Sequence, residues 1–158
     1  MSKMKKAATS VAAIILCGAL IGPAIGQQKP GGTGAVAARK ANFKEIGGAF
    51  KTVNDEIRSG RPDMNALKPA ARDLATRSRL SLGHFPRDSA PGPGITTRAK
   101  ADIWANMPAF VKLQNMMVNA SASLDAAVSR GDVGAMTKAR DALGATCKAC
   151  HDRFRQPS

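Results

Sequence analysis

The chain has no tyrosine, one tryptophan and five phenylalanines, so aromatic residues make up only 4% of its 158 positions. A β-sandwich or barrel draws heavily on aromatic and β-branched side chains, and this scarcity argues against one. Hydrophobic residues still reach 44%. The core they imply must be built from Ala, Leu, Val, Ile and Met, a mixture suited to close-packed helices. Acidic residues are scarce too: 11 Asp and Glu face 24 Lys and Arg, for a formal charge of +13. Such a surface attracts anionic partners over long range, either an acidic protein or an anionic membrane surface. Nucleic acid is not an expected partner, because the chain offers no aromatic platform and no nucleic-acid-binding motif. The length suits one domain.

The N-terminus stands apart. MSKMKK is a positive segment, AATSVAAIILCGALIG an apolar run, and PAIGQQ brings small residues at Ala24 and Gly26. This order reads as a secretory signal peptide over residues 1–26, cut before Gln27. The apolar run is short for a membrane span and is followed by a small-residue site, which weighs against an uncleaved anchor. Cys17 lies within the run and would leave with it. The mature chain is then expected in the periplasm. It stays strongly basic without Lys3, Lys5 and Lys6, and it keeps two cysteines, Cys147 and Cys150. In an oxidising compartment a pair that close is a disulfide, a metal clip or a covalent cofactor anchor.

Residues 27–34, QQKPGGTG, read as a flexible lead-in, and a single domain is expected over 35–158. Four helical patterns follow. In the first, Val36, Phe43, Ile46, Phe50, Val53 and Ile57 form one apolar stripe that stops at SGRP. The second runs from about Asp63 to Leu82, with Met64, Leu67, Ala71, Leu74 and Leu82 inward and Pro69 near its start. GHFPRDSAPGPGITTR is a loop, with Gly and Pro at close intervals and no period. The third starts near Asn106, with Pro108 in its first turn and a stripe through Phe110, Leu113, Met117, Ala120, Leu124 and Ala127. Asp132 is a good N-cap for the fourth, whose stripe reads Met136, Ala139, Leu143, Cys147, Cys150, Phe154. Four such helices bury their stripes best as an all-α, antiparallel, up-down-up-down four-helix bundle.

Cys147, Cys150 and His151 share one face of the last helix, at i, i+3 and i+4. C-x-x-C-H is the attachment signature of haem c. Two thiols add to two vinyl groups of the porphyrin, and the imidazole of the next residue reaches the iron. A thioredoxin-like pair wants a βαβ setting, which is missing. A structural zinc site wants four ligands, and His84 is the only other histidine. A plain disulfide leaves His151 unexplained. One covalent haem c is the reading that uses all three residues. Arg39 falls on the apolar stripe between Val36 and Phe43. A buried arginine wants an anion, and a haem propionate matches a guanidinium.

The leader, the four amphipathic helices and the C-terminal CKACHDRFR together resemble the cytochrome c′ family, bundles whose haem motif lies at the chain's end. ARKANFKEIGGAFK resembles the family's first helix and IWANMPAFVKLQ its entry into the third. The resemblance covers roughly residues 35–158. It implies one haem held by Cys147 and Cys150, with His151 as the axial iron ligand. It places Phe43 at the distal position, where a methionine in some members ligates the iron. Phenylalanine cannot, so the resemblance implies a five-coordinate iron under an apolar cap, open to NO or CO. It places Arg39 and Lys40 at haem-contacting positions, although glutamine is more usual at the second. It sets Trp104 near the haem edge and Arg155, one turn beyond His151, beside the proximal ligand. Two departures touch the propionate surroundings: Arg98 where some members carry an acid, and Leu82 where some carry an aromatic. A homodimer through the first two helices is a further implication.

The function implied is an exported c-type cytochrome that moves single electrons, meets an acidic redox partner and binds small gases, rather than an enzyme. One alternative is a six-coordinate, low-spin carrier whose sixth ligand is Met107, Met116, Met117 or His84. The other is a weak haem enzyme acting on NO or peroxide.

Overall fold

The computed structural model describes residues 31–157. The signal peptide expected over 1–26, Cys17 within it, and residues 27–30 lie outside the described residues. Four long helices make a bundle: α1 (Gly32–Arg58), α2 (Met64–Leu80), α4 (Met107–Arg130) and α5 (Val133–Phe154). A single turn, α3 (Asp102–Ala105), precedes α4. The described residues contain no strand, only isolated bridges at Gly92–Ile95 and Ala99–Arg155.

α1 begins at Gly32, earlier than the apolar stripe announces. Its first turn packs against the backbone of the long loop, and a Cβ on Gly32 would collide with the Asp88 carbonyl oxygen. Gly60, in the left-handed region at φ +73°, lets the chain turn toward α2. Asp63 caps α2 by accepting from the Asn65 N–H at 2.8 Å, while Glu56 of α1 accepts from the Asp63 N–H at 2.8 Å. α2 passes through Pro69 on its exposed side and ends at Leu80 in a 3-10 turn, Ser81–His84. That turn breaks the α period, so Leu82, expected inward, is 38% exposed. Gly131, also at φ +73°, ends α4, and Asp132 caps α5 through the Ala135 N–H at 2.9 Å.

The main core follows the stripes: Ile46, Val53, Leu67, Leu74, Leu124 and Leu143 are buried in one cluster. It fills the spaces between α1 and α2, α2 and α4, and α4 and α5, which pack closely in that order. α1 and α5 barely touch, so the ring of helices is open along that one seam. A second, aromatic cluster of Phe85, Ile103, Phe110 and Phe154 closes one end. Phe43 packs against both clusters.

Candidate cofactor site

The open seam between α1 and α5 is a cavity of about 520 Å3. α1 lines it with Arg39, Lys40, Phe43, Lys44 and Phe50, and α5 with Thr146, Cys147, Cys150, His151 and Phe154. The loop adds Phe85, Thr97 and Arg98, and α4 adds Phe110, Leu113, Gln114 and Met117. The scarcity of aromatics is thereby given a purpose, since all five phenylalanines of the chain stand on this wall. Three ring pairs link four of them: Phe43 to Phe85 at 6.3 Å, Phe85 to Phe110 at 4.6 Å and Phe110 to Phe154 at 5.3 Å. Edge-on ring packing of this kind fixes an apolar wall in place.

Cys147 and Cys150 are half-buried free thiols on that wall. Burial pushes the Cys147 thiol up, and burial followed by the neighbouring Cys147 pushes Cys150 up to about 11. Both are protonated at neutral pH. His151 lines the cavity from its exposed edge. Burial lowers its pKa first, then the charge of Arg155, with Asp152 opposing and Arg98 adding. The imidazole is therefore neutral near pH 7, the form that offers a lone pair to a metal.

The wall's chemistry selects its occupant. Its charged side chains besides His151 are Arg39, Lys40, Lys44, Arg98 and Arg155, and no carboxylate lines it. A large flat apolar ring carrying two carboxylates, two thiol-reactive vinyl groups and a metal that takes an imidazole fits this set on every count. A bare metal ion does not: among the described residues no three His, Cys, Asp or Glu side chains gather to hold one.

Comparison with known proteins gives the same answer. A family model described as Cytochrome C′ matches residues 34–155. The chain belongs to the cytochrome c′ family. A cytochrome c′ of Rubrivivax gelatinosus is 33% identical over 132 residues, covering 82% of this chain and 98% of that protein. A cytochrome c-556 of Agrobacterium tumefaciens is 30% identical over 123 residues, covering 77% of this chain and 97% of that one. The crystal structure of cytochrome c′ from Rubrivivax gelatinosus superposes with a TM-score of 0.75 at 27% identity, covering 82% of this chain and all of that one. A nitric oxide complex of a cytochrome c prime mutant from Alcaligenes xylosoxidans superposes with a TM-score of 0.73 at 25% identity. Members of the cytochrome c′ family are haem c proteins, which agrees with the wall described above.

The residues that the cytochrome c′ resemblance singles out stand as follows. Arg39 is buried, 5% exposed, but its partners are neutral. Its guanidinium donates to the His84 carbonyl at 3.2 Å, to Ser89 Oγ at 3.1 Å, to the Ser89 carbonyl at 3.3 Å and to Thr97 Oγ1 at 2.8 Å. It also lies 4.7 Å from the centre of the Phe85 ring and 5.6 Å from that of Trp104. Within the protein, loop carbonyls, hydroxyls and ring faces solvate Arg39, and its place on the cavity wall keeps it beside the cofactor site. Lys40 donates to the Thr96 carbonyl at 3.4 Å. Trp104 is not on the cavity wall. It stands behind Phe85, its ring 6.1 Å away, because its indole N–H is drawn to the Pro86 carbonyl at 3.0 Å. Arg155 lines the cavity, but α5 ends at Phe154 and Arg155 is extended. Backbone bonds to the loop hold it there, Lys100 N–H to the Phe154 carbonyl at 2.9 Å and Gln156 N–H to the Arg98 carbonyl at 2.7 Å.

Of the alternative sixth ligands, only Met117 lines the cavity. Met116 is 46% exposed on α4, and Met107 and His84 are off the wall. Gln114 is on the wall, and the apolar stripe gave no sign of it. It is 3% exposed, and among the described residues its Oε1 meets no donor. Phe85 was hidden in the loop, where no period marks an inward face.

Proposed function

We infer that this chain is an exported electron-transfer protein that holds one haem c covalently through Cys147 and Cys150, with His151 as the axial ligand. The observation that carries this is the convergence of two protonated thiols and a neutral imidazole on an aromatic, carboxylate-free cavity. When bound, the haem supplies an iron that takes up and releases one electron and takes a small neutral gas on an open face.

The chain's own residues set the limits of that chemistry. Cys147 and Cys150 would hold the ring covalently through their thiols. His151 is kept neutral by burial and by Arg155, so no proton has to leave before it ligates. Phe43 stands on the α1 wall with no atom able to ligate iron, which supports a five-coordinate centre open to NO or CO. The ring cluster of Phe43, Phe85 and Phe110 would present an apolar face to a bound haem. Cations at Arg39, Lys40 and Arg98 would offer positive charge to the propionates of a bound haem. The wall offers no acid–base pair, His151 being its one histidine, and this favours a carrier over an enzyme. Among the described residues no helix is long and apolar enough to cross a membrane. A soluble periplasmic protein, released from its 1–26 leader and paired as a homodimer, completes the reading.

A second reading has one observation in its favour. Met117 lines the cavity and carries a thioether, so it is the candidate for a sixth ligand. Two variants decide between the readings. With an open iron, Phe43→Met converts a high-spin visible spectrum to a low-spin one, and Met117→Leu leaves the wild-type spectrum unchanged. If Met117→Leu instead turns a low-spin spectrum high-spin, the second reading holds.

A further inference from the structure

The cavity mouth carries charge of one sign only. Lys40 and Lys44, one turn apart on α1, flank it on one side, and Arg98 and Arg155 on the other. All four are solvent-exposed or partly so, and Arg39 lies behind them. The ion pairs of the surface lie elsewhere, Lys51 with Asp55, Arg77 with Asp73, Arg140 with Asp141 and Lys148 with Asp152, whereas no carboxylate lines the mouth. At the mouth, Lys40 donates to the Thr96 carbonyl, a neutral acceptor that leaves its charge intact. Among the described residues Lys44 has no partner. Two propionates would leave part of this positive charge, that of Lys44 included, on the rim.

We propose that this rim is the docking surface for an acidic redox protein, one that meets the open edge of the cavity with a patch of carboxylates. The inference rests on the haem reading above and adds where the partner sits. A protein is favoured over an anionic membrane by the placing of the apolar side chains. The exposed large ones, Leu80, Leu82, Met116 and Val133, are not among the residues of the mouth. A membrane-bound face would mix such residues with its cations. Like charges converging on a concave, low-dielectric mouth focus the field toward it, steer an acidic partner there and speed encounter.

The test uses oxidised holoprotein and an oxidised, acidic plant-type ferredoxin as probe, so that binding is read without reaction. Haem content is first established from the spectrum of the denatured protein in alkaline pyridine. A chain that lacks haem c there refutes the haem reading, whatever the rim does. Affinity is then measured by calorimetry at low and at physiological salt for the wild type, Lys44→Glu and Lys138→Glu. Lys138 is exposed on α5, about 20 Å of helix from His151, and its reversal changes net charge by the same amount. Lys44→Glu is expected to weaken binding roughly five-fold at low salt and to flatten the salt dependence, with Lys138→Glu close to wild type. Equal weakening by both variants means net charge alone, and overturns the proposal. So does an absence of binding by the wild type. Vesicles of anionic lipid serve as the third arm. If they bind in a Lys44-dependent way and ferredoxin does not, the surface faces a membrane and the proposal fails.

Discussion

Arg39→Met removes a guanidinium and leaves a side chain of similar length. Four hydrogen bonds to the loop disappear, at 3.2, 3.1, 3.3 and 2.8 Å. Not every acceptor is stranded. Ser89 Oγ still donates to the Pro86 carbonyl, and Thr97 Oγ1 still accepts from the Ala99 N–H. The Ser89 and His84 carbonyls lose a charged donor, and Ser89 is fully buried. A hydrogen bond from a charged donor contributes about 1.5–3 kcal/mol, and a stranded buried acceptor costs about 1–3 kcal/mol. The stacked rings of Phe85 and Trp104 add about 1 kcal/mol. Against this stands relief of the guanidinium's own desolvation, which lowers its pKa in the folded chain. The net is a loss of about 3 kcal/mol, a large part of an ordinary domain's stability. Urea unfolding followed by circular dichroism reads the loss. Hydrogen exchange reads its location: amides of residues 84–97 should exchange much faster, while those at the α2–α4 contact keep their rank. Arg39→Lys should fall between, because a single ammonium reaches fewer of these acceptors. A loss under 1 kcal/mol with an unchanged loop would refute the reasoning and return Arg39 to the cofactor as its main partner.

Three further outcomes are expected. Asp132→Ala removes the α5 cap at Ala135 and should cost about 1 kcal/mol in urea unfolding. Gln114→Met replaces a buried amide whose Oε1 has no donor, and should raise stability by about 1 kcal/mol; a loss of that size would show that a water or ligand satisfies the amide in solution. Burial and the charge of Arg39 lower the folded pKa of His84 below its ordinary 6.5, so the unfolded chain takes the proton first. Stability is full above 6.5 and falls as pH drops from there through the folded value. Urea titrations at pH 7.5 and 5.0 should show a smaller acid-side loss in His84→Asn than in the wild type, and an equal loss would remove His84 from the account.

The long-period features were legible in the sequence. Val53, Leu67, Leu124 and Leu143 sit on unbroken stripes, and all four are buried. The C-x-x-C-H spacing placed Cys147, Cys150 and His151 on one face because a helix turn fixes it, and all three line one cavity. What stayed hidden is non-local. Arg39 meets partners 45 to 58 positions away in a loop without period, so no pattern could show that its burial is answered by neutral oxygens. Trp104 faces Pro86 for the same kind of reason. The extended Arg155 depends on bonds to residues 98–100, which a helical extrapolation of α5 misses. Buried polar residues within the helices, Asn42, Gln114 and Ser121, interrupt the apolar stripe and look exposed until the packing is seen.

The central claim is a covalent haem with an iron left open beneath Phe43. It is tested most directly by the visible spectra of the purified holoprotein, oxidised and reduced, before and after CO. Broad high-spin bands that shift with CO are the predicted result. Sharp, split low-spin bands indifferent to CO would contradict it and give the sixth position to a protein ligand.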